Sequence, residues 1–275
     1  MSALVDALVD DAGLFPPTAL AMPQAVARYR GDLAASGSML THRFLCPASR
    51  IEELREELTA ADRIRVGLIA DTGLDGLAAV LAVVADDPRL TLAVIEFPLA
   101  KTSEAVAEVI AQLPAGVPIF VEPAAYADIP DLLATLVEHG AGLKLRCGGV
   151  RAELFPTVGE LAEALVAAAR AGVAVKATAG LHHAVRYTDA ATGFTHHGYL
   201  NLLLASAAAA QGEPVADVAA VLALADGAAL ISRAALDPAA IAATRRLFTS
   251  YGSCSTHTPA AEAAALGLLE EGISQ

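Results

Sequence analysis

From Met39 onward the chain alternates between two hydrophobic patterns. Short β-rich apolar runs are each followed by a longer stretch in which apolar residues recur every three or four positions. The runs are MLTHRFLCP (39–47), RIRVGLIAD (63–71), LTLAVIEFP (90–98), VPIFVEP (117–123), GLKLRC (142–147) and VAVKATAG (173–180). The amphipathic stretches between them predict helices near 49–60, 74–86, 102–112, 130–139 and 158–171. A strand thus recurs about every 25 to 30 residues, the spacing of parallel strands joined by covering helices. Boundary residues agree. Ser49, Asp71 or Thr72, Thr102 or Ser103, and Thr157 stand where N-caps belong, and Gly140 and Gly172 where helices end on a left-handed glycine.

Six consecutive βα steps, residues 39–195, predict a (β/α)8 TIM-type barrel rather than a doubly wound sheet, because no GxGxxG fingerprint follows the first run. Residues 1–38 read as a helical cover, with helices around Leu4 to Val9 and Gln24 to Ala34 broken by Phe15, Pro16 and Pro17. Residues 196–275 read as a helix-rich closing segment, with helices at 196–210, 214–225 and 238–247. Strands seven and eight are then sought in AALIS (228–232) and LFTSYG (247–252), so the barrel is irregular after its sixth strand, or else a six-stranded core with a helical tail. A single domain over 1–275 is the expectation.

Composition narrows the class of partner. Apolar residues make up 55% of the chain, yet no uninterrupted apolar run reaches the ~18 residues of a membrane span. The leading segment carries acids where a secretory signal carries bases, which predicts a cytoplasmic protein. Cys46, Cys147 and Cys254 are odd in number and far apart, so no disulfide framework is expected. A formal charge of −13 argues against a phosphate-binding groove, leaving a small molecule as the expected partner, with no nucleic acid and no membrane.

Lysine usage is more telling. There are fifteen arginines and only three lysines, and two of those, Lys144 and Lys176, lie in predicted buried strands. Strand alternation puts Lys144 with Arg146, and Lys176 with Thr178, on one face, while Leu143, Leu145, Val173 and Val175 point toward the helices. Glu96, Glu122 and Asp71 end other strands, and in a closed barrel all would converge toward the C-terminal mouth. A Glu and an Arg meeting there could equally form a satisfied ion pair, and His42 could be a hydrogen-bonded core residue.

A lysine buried beside Lys144 and Arg146 loses part of its preference for the charged form and becomes a candidate nucleophile toward a carbonyl. The segment AGVAVKATAG, residues 171–180, resembles the K-T-S-T-G-like segment of class I aldolases of the deoxyribose-phosphate type. With the preceding strand and helix the resemblance covers about forty residues. It implies a Schiff-base role for Lys176 on strand six, a second lysine on strand seven and a glycine-rich phosphate loop. No lysine follows Lys176 and no such loop is evident, so a phosphorylated substrate is not implied. The termini, DDAGLFPP and YGSCSTHTP, look like segments of an uncharacterised bacterial family, which implies no activity.

Four of the seven histidines, His182, His183, His196 and His197, fall within sixteen residues after that lysine. Neutral imidazoles could polarise a substrate or bind a metal, and His197 shares a helix face with Asn201. Three readings follow. The first is a lyase or isomerase acting on a small carbonyl or carboxylate compound without a required cofactor. Its acting groups are Lys176, Lys144, Glu122 and Glu96, and Arg146, Thr178, His182, Asn201 and the backbone of Gly148 and Gly149 hold the substrate. The second is a lyase, isomerase or hydrolase that needs a divalent metal, with His183 and His197 joined by carboxylates as ligands. The third is a non-catalytic ligand-binding barrel. Cys254 with His257, or Cys147, is a thiol alternative, each set against the commoner role of cysteine as a buried hydrophobe.

Overall fold

Eight strands close on one another, and the large apolar side chains that most of them turn outward meet an outer ring of helices. The computed structural model describes residues 2–35, 37–99 and 106–269. The barrel strands are β1 (Val9–Asp11), β2 (Leu40–Pro47), β3 (Ile64–Ile69), β4 (Leu90–Pro98), β5 (Ile119–Glu122), β6 (Gly142–Arg146), β7 (Val175–Thr178) and β10 (Phe248–Ser253). All neighbours are parallel, and β10 pairs with both β7 and β1, so the ring has no edge. The remaining strands, β8 (Tyr187–Thr188) and β9 (Thr195–His196), form a small antiparallel hairpin outside it. The protein is a (β/α)8 TIM-type barrel.

The apolar core lies between strands and helices. Phe44 of β2 meets Tyr29 of α2 (Met22–Ala35) edge to face at 5.8 Å, and Val66, Leu68 and Phe97 belong to the same buried cluster. On the other side, Leu143, Leu145, Val175 and Ala177 pack with Leu161 and Leu165 of α7 (Val158–Ala171). Among the described residues no helix is long and apolar enough to cross a membrane.

The helices α4 (Gly73–Asp86), α6 (Ile129–His139) and α7 lie within a residue of their predicted spans. Gly140 and Gly172 end α6 and α7 at φ 62° and 69°, and Thr157 and Glu160 cap each other's backbone N–H at the start of α7. Ser49 is not a cap. It lies in a 3₁₀ turn ahead of α3 (Ile51–Glu57), where its N–H and hydroxyl both donate to Asp71. The cap positions Thr102 and Ser103 lie outside the described residues, and α5 spans Val106–Ala111.

Two expectations are corrected. The leading segment is more than a cover: the helix expected around Leu4 to Val9 is confined to Ser2–Val5 (α1), Val9–Asp11 is the first barrel strand, and the second expected helix is α2. Three residues are too few to show a period, so every later strand stands one place further along than the sequence counts it. AALIS is no strand either. It falls in α10 (Gly227–Arg233), whose N-terminus Asp226 caps by accepting the Ala228 N–H, and only Leu230 of it is buried. The eighth strand is LFTSYG, shifted by one residue. Between β7 and β10 the chain runs through α8 (Tyr199–Ala210), α9 (Val215–Ala223), α10 and α11 (Pro238–Leu247), and α12 (His257–Ala265) follows the barrel. Helix α8 is apolar all round and nearly wholly buried, because α7, α9 and α11 surround it.

Candidate functional site

The interior of such a barrel is ordinarily filled by branched aliphatic side chains. Here it holds a continuous belt of charge. Asp10 of β1 accepts from Thr41 Oγ1 at 2.5 Å, from Arg43 Nε at 2.7 Å and from Ser250 Oγ at 2.9 Å. Lys176 Nζ pairs with Asp10 Oδ2, lies 3.1 Å from Glu96 Oε1 and donates to Ser250 Oγ at 3.4 Å. Lys144 Nζ lies 2.5 Å from the other oxygen of Glu96 and 3.0 Å from Glu122 Oε2, and Arg146 Nε reaches Glu122 Oε1 at 2.6 Å. Glu96 therefore bridges the two lysines.

Strand register explains the assembly. Lys144 pairs with Lys176, and Lys176 with Ser250, at one level of the ring, and alternation turns Thr178 and Arg146 inward one step nearer the C-terminal mouth. Asp10, Glu96 and Lys176 are fully buried, while 41% of the Arg146 side chain is exposed. The belt counts four cations (Arg43, Lys176, Lys144, Arg146) against three carboxylates (Asp10, Glu96, Glu122).

Burial lowers the Lys176 pKa to about 7, a direction that the ion-pair contacts with Asp10 and Glu96 oppose. Burial works the same way on Lys144, but Glu96 and Glu122 on either side more than offset it and hold its pKa above the usual lysine value. Burial also opposes the charge on Glu122, yet Lys144 and Arg146 keep its pKa below normal. Two adjacent lysines thus have pKa values pushed apart, a pattern that assigns a fixed charge to one and a mobile proton to the other.

The structure brings together Lys176, Lys144, Arg146, Glu96 and Glu122 as the sequence predicts, with Thr178 above them. It adds Asp10, Thr41, Arg43 and Ser250, which sequence reasoning missed. Asp10 was hidden in a segment that reads as helix. Arg43 and Thr41 were legible in principle, since both alternate with outward Phe44 and with His42, whose ring lies off the belt and whose carbonyl accepts the Tyr29 hydroxyl.

The remaining candidates lie outside the belt, each with contacts of its own. Gly148 and Gly149 are small because chains approach closely there: a Cβ on Gly148 would stand 2.7 Å from Gly180 Cα, and one on Gly149 would strike Leu154. His197 Nε2 donates to the Pro156 carbonyl at 2.8 Å, leaving Nδ1 to accept from Arg186 at 3.2 Å. Asn201 ties loops together, accepting the Arg186 N–H and donating to Val221 and Leu224 carbonyls. His183 pairs with Glu262 at 2.6 Å. His183 and His197 therefore do not share a ligand set, and among the described residues no three His, Cys, Asp or Glu side chains gather to hold a metal. His182 lies beside Cys254, with Sγ to Nδ1 at 3.7 Å, so Cys254 is paired with His182 rather than His257. Burial raises the Cys147 thiol pKa to about 12, which suits a core residue and not a nucleophile.

Fold and site together define a (β/α)8 barrel, an architecture commonly enzymatic, with buried lysines on adjacent strands. No protein-family model matches the chain, and no curated protein matches it in sequence.

Proposed function

We propose that this protein is a lyase or isomerase acting on a small carbonyl compound through the amine of Lys176. The observation that carries the reading is a fully buried lysine set between two carboxylates and beside a second lysine on the neighbouring strand, with burial lowering the pKa of the first to about 7. The neutral Nζ attacks the carbonyl carbon and the C–N bond forms. The oxygen leaves as water after gaining two protons, one from the amine and one from solvent, and a protonated imine remains. That iminium draws electrons from the neighbouring carbon, where a C–H or C–C bond can break, and Glu96 or Asp10 can carry the proton. Lys144 stays charged and fixes Glu96. Arg146, anchored by Glu122 and half open to the mouth, offers its guanidinium to a substrate carboxylate.

Cyanoborohydride added with a panel of small aldehydes and 2-ketoacids should reduce the imine to a stable secondary amine, found on Lys176 by peptide mass mapping. The yield should rise across pH 6 to 8, following the neutral amine. Adducts absent from Lys176 with every compound would overturn the covalent reading.

A further inference from the structure

A second reactive pair lies outside the belt, where the loops after β7 and β10 meet. Cys254 is four residues beyond Ser250, just past the end of β10 and roughly 13 Å further along the strand direction than the level of Lys176. Its Sγ stands 3.7 Å from Nδ1 of His182. Both partners are held in place. The Cys254 carbonyl accepts from Arg28 Nη1 at 2.7 Å, and Ser253 and Ser255 brace the turn around it. The His182 ring is walled at 5.6 Å by His196, which bonds to the Gly180 carbonyl and stacks on Tyr187. Of the free cysteines, Cys46 and Cys147 are fully buried in the apolar wall, whereas Cys254 retains 8% exposure beside a half-buried imidazole.

We propose that Cys254 and His182 form a thiol–imidazole pair at the barrel rim that takes electrophilic carbon compounds covalently. The thiol proton passes to His182 Nδ1 and the sulfur bonds to the electrophilic carbon. With an activated alkene the imidazolium returns its proton to the neighbouring carbon, and with an alkyl halide the halide leaves and the proton remains to be released to solvent. No oxidant enters. Arg28, which holds the Cys254 carbonyl, is itself paired with Asp11, so it fixes the turn without adding net charge beside the thiol.

Iodoacetamide and N-ethylmaleimide are the probes, read by peptide mapping of the full chain. Cys254 should label alone, and about tenfold faster at pH 7 than an unassisted thiol, given that a free cysteine is only a few per cent thiolate there. His182→Gln and His182→Asn should each slow labelling about tenfold at pH 7, in variants whose melting shows them folded. Labelling of Cys254 at the rate of a simple thiol, or equal rates in wild type and both variants, would overturn the proposal. Because the readout is on sulfur, it stands or falls separately from imine trapping on Lys176.

Discussion

At the residue scale the belt shows how burial and charge pairing sort two chemically identical side chains. Lys144 sits between two carboxylates, and removing it leaves Glu96 and Glu122 buried with fewer partners. Lys144→Met should therefore lower stability by about 3–5 kcal/mol in urea unfolding, and adding Glu122→Gln to it should recover part of that loss. Lys176 behaves in the opposite sense. Its folded pKa of about 7 lies below the value in an unfolded chain, so between about pH 7 and 10.5 the unfolded state binds more protons and its burial penalty fades as pH rises. The urea midpoint of the wild type should gain more from pH 7 to 9 than that of Lys176→Met, which has no such proton. Equal gains would show that Lys176 is charged throughout this range.

At the element scale, most helices end where local chemistry ends them. The reciprocal bonds of Thr157 and Glu160 satisfy two N–H groups at the start of α7, the helix that leads directly into the Lys176 strand. Thr157→Ala should cost about 1 kcal/mol by denaturant midpoint. Imine trapping on Lys176 should be unchanged, because the belt is held by strand register and not by the cap. Gly148 tests the loops: Gly148→Ala would force the turn after β6 away from Gly180, and should both destabilise the fold and lower trapping yield. Elements with a long period were legible in sequence for the same local reason. The helices α4, α6 and α7 each carry several turns of pattern and a boundary residue. The three-residue β1 carries neither, and the α10 segment is apolar enough to read as strand until its aspartate cap is seen in place.

For the whole molecule, closure decides everything that the belt does. β1 is the shortest barrel strand, yet it joins β2 to β10 and supplies Asp10. Deleting residues 1–12 should open the ring between β2 and β10, abolish cooperative unfolding and eliminate trapping on Lys176. The outer α8 to α11 region could not supply a replacement strand, since α8 is engaged on every side. An interior lined by seven charged groups is held only because each meets an opposite charge across the ring, the arrangement under which buried charge persists.

The sequence by itself determined the repeating βα architecture, the inward direction of Lys144, Arg146 and Lys176, and the presence of acids at the ends of neighbouring strands. Each follows from a period of two or of 3.6 and from the scarcity of lysine, all of which are local properties. Only the tertiary structure decided that Asp10 and Ser250, 240 residues apart, grip Lys176 from both sides. The same holds for Glu96, which separates the two lysines, and for His182, which turns to Cys254 while His183 and His197 turn to other partners. Those pairings depend on ring closure and loop packing, which bring together groups that no nearest-neighbour pattern can connect.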